Sequence, residues 1–391
     1  MSDLSYTFSG WMGLDKDSAK GQMVWQSYTP KPWEETDIDI QISHCGVCAS
    51  DLCVLRSGWV SPPAFLTIIG HNSCVVTLGK WIVSNFTQRP TTYPCVVGHE
   101  IIGHIVRIGS EVKGLQLGDR VGVGPQSDSC RGRVQGPCVE CSTGNEKYCP
   151  NLWTGTYSGR YIDGSLSYGG YALYNRVPAH FAVRIPERIE SSAAAPMLCA
   201  GATVYAPLKQ YGCRPGKRVG ILGVGGLGHF GILFAKALGA DAVIALSRSD
   251  AKRKNALELG ADGFIAYEGG GDWVKEYAGS LDLIISTVSS NTIPILDALK
   301  LLRANGSFVQ VGNPEDGPFT IPAGALIGMG LRFAGSKIGS PGEIEEMLQL
   351  AVEKNVKPWV EKRMMEDANQ VIADMDSGKA RYRYVLVNRS E

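Results

Sequence analysis

The sequence predicts a chain of class α/β plus β: a β-rich first half, a doubly wound parallel sheet after it, and a tail of mixed texture. Three observations carry this expectation. Gly and Pro punctuate the first half densely and separate short apolar runs such as DIDIQI, VVGHEIIGHIVRIG and DRVGVG, as strands bounded by turns require. From about Ser191 apolar strands alternate with segments of helical period, the pattern of a parallel sheet covered by helices on both faces. The 391 residues, 44% hydrophobic and 19% charged, can bury a large core, and at roughly 100 to 200 residues per domain they suggest two domains or three.

The elements follow in order. AAAPMLCAGATVYAPLKQ reads as a helix, and KRVGILGV begins the alternating series. Strands are expected over Arg218 to Gly223, Ala242 to Leu246, Gly263 to Ala266, Leu281 to Thr287 and Ser307 to Val311, and helices over Leu227 to Leu238, Ala251 to Leu259 and Asn291 to Leu302. The tail carries a helix in GEIEEMLQLAVEKNV and a last strand in RYRYVLV, and its texture suggests a return to the first half. No internal repeat is visible. Residues 60–89, from Val60 to Arg89, stand apart as a β-branched stretch almost without charge.

Charge and leader signals narrow the function. Basic and acidic side chains are balanced at 38 each, which removes the global electrostatic case for nucleic acid. The N-terminus lacks a basic segment followed by an apolar core, and nowhere do ~18 apolar residues run together, so a cytoplasmic protein without a membrane partner is expected. Eleven cysteines are many for a reducing compartment unless metal holds some of them.

GVGGLG ends the first strand of the alternating series, with Gly223, Gly225, Gly226, Leu227 and Gly228 opening a helix. Glycines there allow a tight turn and close approach to a pyrophosphate, whose charge meets the helix N-terminus. The alternative is a glycine-rich turn in an ordinary βα unit. Where a carboxylate would hold a ribose 2′-OH, the chain instead has Ser247, Arg248 and Ser249, with Lys252 one turn later. These groups suit a 2′-phosphate, so NADP(H) is the expected cofactor; plain solvated charges at a helix start are the other reading.

Two cysteine patterns point to metal. Cys130, Cys138, Cys141 and Cys149 crowd one loop, as a closed tetrahedral structural Zn²⁺ requires, with a redox-active disulfide pair as the alternative. Cys48 in HCGVCASD, His99 and Glu100 in GHE, and Cys199 in PMLCAG form a dispersed group of the kind that catalytic zinc recruits from distant segments. Spacing alone does not bring the dispersed group together.

CGVCASD, VGHEIIGHIVRIGSEVKGLQLGDRVGVG, the knuckle ending in EKYCP, GGYALY, PMLCAGATVYAPL and GVGGLG together resemble the zinc-dependent medium-chain alcohol dehydrogenases. The likeness falls within the cinnamyl alcohol dehydrogenase branch, towards the fungal NADP-dependent broad-specificity enzymes. It implies a GroES-like catalytic domain over residues 1–193, a Rossmann domain over 194–337, and a return to the first domain over 338–391. It also implies a homodimer with two Zn²⁺ per chain, acting on small aldehydes and alcohols. Position by position, Cys48, His99 and Cys199 become the catalytic zinc ligands, and Cys45 does not. Glu100 approaches the metal in the resting state, Ser50 bonds the substrate oxygen, and Asp51 orients a ligating imidazole. Trp59 reads either as a pocket wall or as scaffold.

The chain departs from that family in three places. Cys53 stands where a proton-relaying histidine is usual, and a thiol near pKa 8.5 replaces imidazole poorly, which implies slower and more pH-sensitive turnover. Residues 60–89 are surplus where the substrate pocket should close, as a genuine loop or as retained intron sequence. Extra residues widen the gap between Cys130 and Cys138. Two other functions stay open: a pathway-specific reductase of a conjugated C=C or iminium, and a non-catalytic zinc- and NADPH-binding protein.

Overall fold

The computed structural model describes residues 6–58, 90–314 and 316–389. Trp59 and the surplus segment 60–89 lie outside the described residues. Among the described residues no helix is long and apolar enough to cross a membrane.

A mixed sheet from both parts of the chain holds the first half. Its strands run in the order Ala182–Arg184, Arg120–Val123, Ile101–Ile108, Asp37–Gly46, Arg383–Val387 and Val360–Met364, with Tyr174–Pro178 also pairing to Asp37–Gly46. The tail thus returns, as its texture suggested, when Val385, Leu386 and Val387 pair antiparallel with Gly46, Cys45 and His44. DIDIQI buries Ile38, Ile40 and Ile42, yet its alternate residues Asp37 and Asp39 are buried as well. Their charges are met inside, by Lys31 Nζ at 2.5 Å and by Arg176 Nε at 2.7 Å, because a carboxylate out of water must be paired.

The second sheet is parallel throughout, in the order Gly263–Ala266, Ala242–Ser247, Arg218–Leu222, Leu281–Ser286, Leu302–Gln310 and Arg332–Gly335. In chain order this is 3-2-1-4-5-6, the doubly wound arrangement with its crevice at the carboxyl ends of the strands. The five expected strands are present. Arg332–Gly335 is an addition; its segment RFAG holds one large apolar residue beside a charge, a weaker signal than GFIA. The expected helix over Asn291 to Leu302 is confined to Ile295–Lys300: Asn291 N–H is turned instead to Asp316 Oδ1 at 2.7 Å, and Pro294 precedes the helix.

The long helix expected at AAAPMLCAG is three pieces, Ser191–Pro196, a π-helical turn Met197–Gly201, and Ala202–Gln210. One buried apolar cluster runs from Ile102 and Val183 of the first sheet through this segment to Val219 and Ile221 of the second. The helix Pro341–Glu353 adds Ile344, Met347 and Leu348 to that cluster. Its third residue, Glu343, closes a capping box with Ser340 and also accepts Lys147 Nζ at 2.7 and 2.9 Å. Lys147 is buried and sits between Cys141 and Cys149, so this pair ties the cysteine loop to the helix start.

Candidate functional site

Cys48 leaves the central strand in an extended conformation and precedes the helix Ala49–Leu55. Its N–H donates to Asp51 Oδ2 at 2.9 Å, while Asp51 Oδ1 accepts Gly98 N–H at 3.3 Å and Tyr171 Oη–H donates to Oδ2 at 3.0 Å. Asp51, fully buried, therefore braces the backbone of the Cys48 and His99 segments; these bonds, rather than one to the imidazole, are what it makes. Gly98 takes φ +99°, a conformation that side chains disfavour, and delivers His99 and Glu100 opposite Cys48. Cys199 comes from the π-helical turn, a feature frequent at functional sites.

One ligand atom from each of Cys48, His99, Glu100 and Cys199 lies within 4.8 Å of the others, and all four residues are buried. His99 Nε2 and Glu100 Oε2 have no hydrogen-bond partner, a state that costs about 1–3 kcal/mol per buried group unless something satisfies them. Two sulfurs, an imidazole and a nearby carboxylate form a donor set that suits Zn²⁺, and the orphaned atoms fit that ion.

The electrostatics agree with a cation site. The Cys199 thiol hydrogen-bonds Cys48 and holds its sulfur well below the usual thiol range, while Cys199 itself is pushed well above it by the same contact. Burial works against a charged His99, yet the Cys48 sulfur lifts it to about 9. Burial raises Glu100 to about 7 despite Arg383 Nη2, which donates to its Oε1 at 2.5 Å. Ser50 Oγ, half-buried, stands 3.6 Å from Cys48 Sγ. Cys45 is buried elsewhere, its thiol donating to Gly46 O at 3.5 Å.

Three contributors carried no role in the sequence reading. The Tyr157 ring stacks on His99 at 5.1 Å with 4° between planes. Tyr171 belongs to GGYALY and Arg383 to RYRYVLV, and for Arg383 the available signal was a charge inside an apolar strand. Gly46 is required by the same carboxylate, because a Cβ there would stand 1.9 Å from Glu100 Oε2.

The glycine turn lies against this cluster. Gly223 takes φ +95°, Gly228 lies so close to the preceding strand that a Cβ would meet Gly223 O at 1.8 Å, and Gly225 faces open space. A Cβ on Gly226 would stand 3.0 Å from Arg383 Nη1, which places that guanidinium between the turn and Glu100. Ser247 ends its strand, Arg248 and Ser249 are exposed beyond it, and Leu227 is half-buried. Lys252 lies one turn beyond them and is half-buried. Its Nζ donates to Val224 O at 2.7 Å and lies 6.0 Å over the Tyr382 ring.

Cys130, Cys138, Cys141 and Cys149 form the other cluster, each offering a sulfur within 4.8 Å of the rest. Positive φ at Arg131, Gly132 and Gly136 folds the widened first gap into a surface turn, so Cys130 Sγ still reaches 3.7 Å from Cys141 Sγ.

Residues 34–187 match the family model of the alcohol dehydrogenase GroES-like domain, and residues 226–353 match that of the zinc-binding dehydrogenases. The NADP-dependent alcohol dehydrogenase 6 of Saccharomyces cerevisiae is 39% identical over 365 residues, covering 92% of this chain and 91% of the relative. A cinnamyl alcohol dehydrogenase of Sorghum bicolor superposes with a TM-score of 0.83 at 35% identity, over 99% of each chain. The Helicobacter pylori enzyme of that type, solved with NADP(H), gives 0.81 at 28%, over 98% of this chain and 99% of that one. With a model matched in each half and likeness running almost end to end, the chain belongs to the zinc-binding alcohol dehydrogenases, alongside the cinnamyl alcohol dehydrogenases.

Proposed function

We propose that this chain is an NADPH-dependent zinc alcohol dehydrogenase that interconverts aldehydes and primary alcohols, aliphatic and cinnamyl-type. One observation carries the reading: three segments far apart in sequence bring Cys48, His99 and Cys199 within 4.8 Å, joined through Glu100 and Arg383 to the glycine turn. Cys48, His99 and Cys199 would hold the catalytic ion, with Glu100 in reach. When bound, zinc acts as a Lewis acid on a carbonyl oxygen and NADPH supplies the hydride. Ser50 hydrogen-bonds the substrate oxygen and carries its proton at Oγ. Asp51 fixes the two ligand-bearing backbones, and Tyr157 covers one face of the imidazole and keeps water from it. The turn from Gly223 to Gly228 admits the pyrophosphate, and Ser247, Arg248, Ser249 and Lys252 favour the 2′-phosphate.

The catalytic part is taken as residues 1–193 with 338–391, and the nucleotide part as 194–337. A second Zn²⁺ in the cluster of Cys130, Cys138, Cys141 and Cys149 makes two per chain. A homodimer is supported by the edge strand Arg332–Gly335, paired on one side only among the described residues, and by the neighbouring exposed Ile327 and Met329. A cytoplasmic location agrees with ten described cysteines that are all free. A steady-state assay of cinnamaldehyde and hexanal with NADPH or NADH, with zinc measured on the same sample, tests the proposal. Turnover with NADPH and two zinc ions per chain is expected; cofactor binding without turnover would sink it.

A further inference from the structure

Arg381 and Arg383 stand on either side of Tyr382, and this stretch of the tail lies along the glycine turn. A Cβ on Gly226 would be 3.6 Å from Tyr382 O as well as 3.0 Å from Arg383 Nη1. The Tyr382 ring lies 6.0 Å beneath Lys252 Nζ, and its hydroxyl oxygen accepts Asn255 Nδ2 at 3.0 Å. Tyr382 is thereby fixed between the turn and the segment that carries Lys252 and Asn255. Arg383 is buried against Glu100, whereas Arg381 is exposed.

Three cations gather at that seam. Burial, and then the charges of Arg381 and Arg248, push the Lys252 ammonium down, as like charges close together do. Among the described residues none of the three forms an ion pair. The carboxylates at hand are placed otherwise: Asp250 takes Arg253 Nη2 at 2.7 Å, and Glu268, whose N–H donates to Arg248 O at 3.0 Å, pairs with none of them. Arg381 uses only Nη1 within the protein, on Gly378 O at 3.0 Å and Ala380 O at 2.9 Å. Its Nε and Nη2, a two-donor fork, have no acceptor among the described residues.

We propose that Arg381, carried by the tail rather than by the parallel-sheet segment, is a third cation for the 2′-phosphate of NADPH and a residue that sets the preference over NADH. This rests on the NADPH reading and adds to it a residue from the far end of the chain. A guanidinium fork matches two phosphate oxygens, and a phosphate of charge about −2 relieves the repulsion among the three cations. Two residues on, Arg383 opens the strand that pairs with Gly46, and it holds Glu100. The segment that meets the phosphate is thus the one that touches the metal-ligating cluster.

The test is calorimetric titration of the full-length, zinc-loaded protein with NADPH, NADH, 2′,5′-ADP and 5′-AMP, the last two differing only in the phosphate. Arg381→Gln is expected to weaken NADPH and 2′,5′-ADP about tenfold, the factor that ~1.4 kcal/mol supplies, while NADH, 5′-AMP and the melting temperature keep their values. Arg381→Lys restores part of the loss, as a charge without the fork does, and the difference shrinks with added salt. A 2′,5′-ADP affinity unchanged in Arg381→Gln, or an NADH affinity that falls as far as that for NADPH, overturns the role of Arg381 while leaving the NADPH reading in place. NADH bound as tightly as NADPH by the unaltered chain overturns both.

Discussion

Arg383 Nη2 donates to Glu100 Oε1 at 2.5 Å with both side chains buried, and Nη1 of the same guanidinium borders Gly226 of the glycine turn. Removing one partner of a buried pair strands the other, at a cost of about 3–5 kcal/mol. Arg383→Met is therefore expected to lower the unfolding free energy by that order and to raise the KM for NADPH. Urea denaturation and cofactor titration check both, and a variant as stable as the parent contradicts the pairing.

The two zinc sites proposed above share no residue, so they should empty separately. Cys48→Ser is expected to lower the zinc content from two ions per chain to one and to abolish turnover. Cys138→Ser removes the other ion and lowers thermal stability. Metal analysis beside a melting curve distinguishes the two, and loss of both ions from either variant contradicts the separation.

Arg248 and Lys252 differ in what they touch. Arg248 is exposed past its strand, whereas Lys252 Nζ is bonded to Val224 O. Arg248→Ala should weaken NADPH about tenfold, as loss of one charge-assisted contact does, with little change in melting temperature. Lys252→Ala should weaken NADPH and lower the melting temperature together, because Val224 O loses its donor. A drop in NADH efficiency as large as that in NADPH would count against the phosphate assignment.

Cys53 lies buried in the helix after Cys48, and Arg56 Nη2 donates to its sulfur at 3.8 Å. Imidazole titrates near 6.5 and a thiol near 8.5, so Cys53→His is expected to raise kcat severalfold and flatten the pH–rate profile below pH 8. An unaltered profile removes the relay argument.

His229 is fully buried beside Gly226, with Nδ1 2.9 Å from Gly226 O, and burial pushes it down to about 3. Its ordinary value is ~6.5, so the unfolded chain binds the extra proton first as pH falls. Stability from the neutral ring is complete above about pH 6.5 and declines below it, by up to about 1.4 kcal/mol per pH unit. His229→Asn keeps a donor and does not titrate. Its stability relative to the parent should rise between pH 7 and pH 5 in urea unfolding, and a constant difference contradicts the neutral ring.

Much of this architecture is readable from short signals. GVGGLG sits between a strand and a helix because its glycines serve geometry that nothing else can, and the four crowded cysteines meet within one loop. Other parts depend on contacts that no local pattern carries. Cys199 lies in an apolar run of helical period, and that period does not reveal the π-helical turn presenting it. Alternation in DIDIQI suggests solvent for Asp37 and Asp39, but Lys31 and Arg176, distant or aperiodic in sequence, draw them inside. Arg383 is invisible as a site residue until its strand pairs with the one ending at Gly46, more than three hundred positions away.

The carboxylate of Glu343 serves the start of its own helix and the buried ammonium in the cysteine loop at once. If the cysteine loop holds the second Zn²⁺ proposed above, its removal would be felt well away from that loop, as an uncapped helix loosens beside the wall that holds Cys199. A chelator should consequently spoil this protein slowly, through loss of shape, even where the reactive centre keeps its own ion.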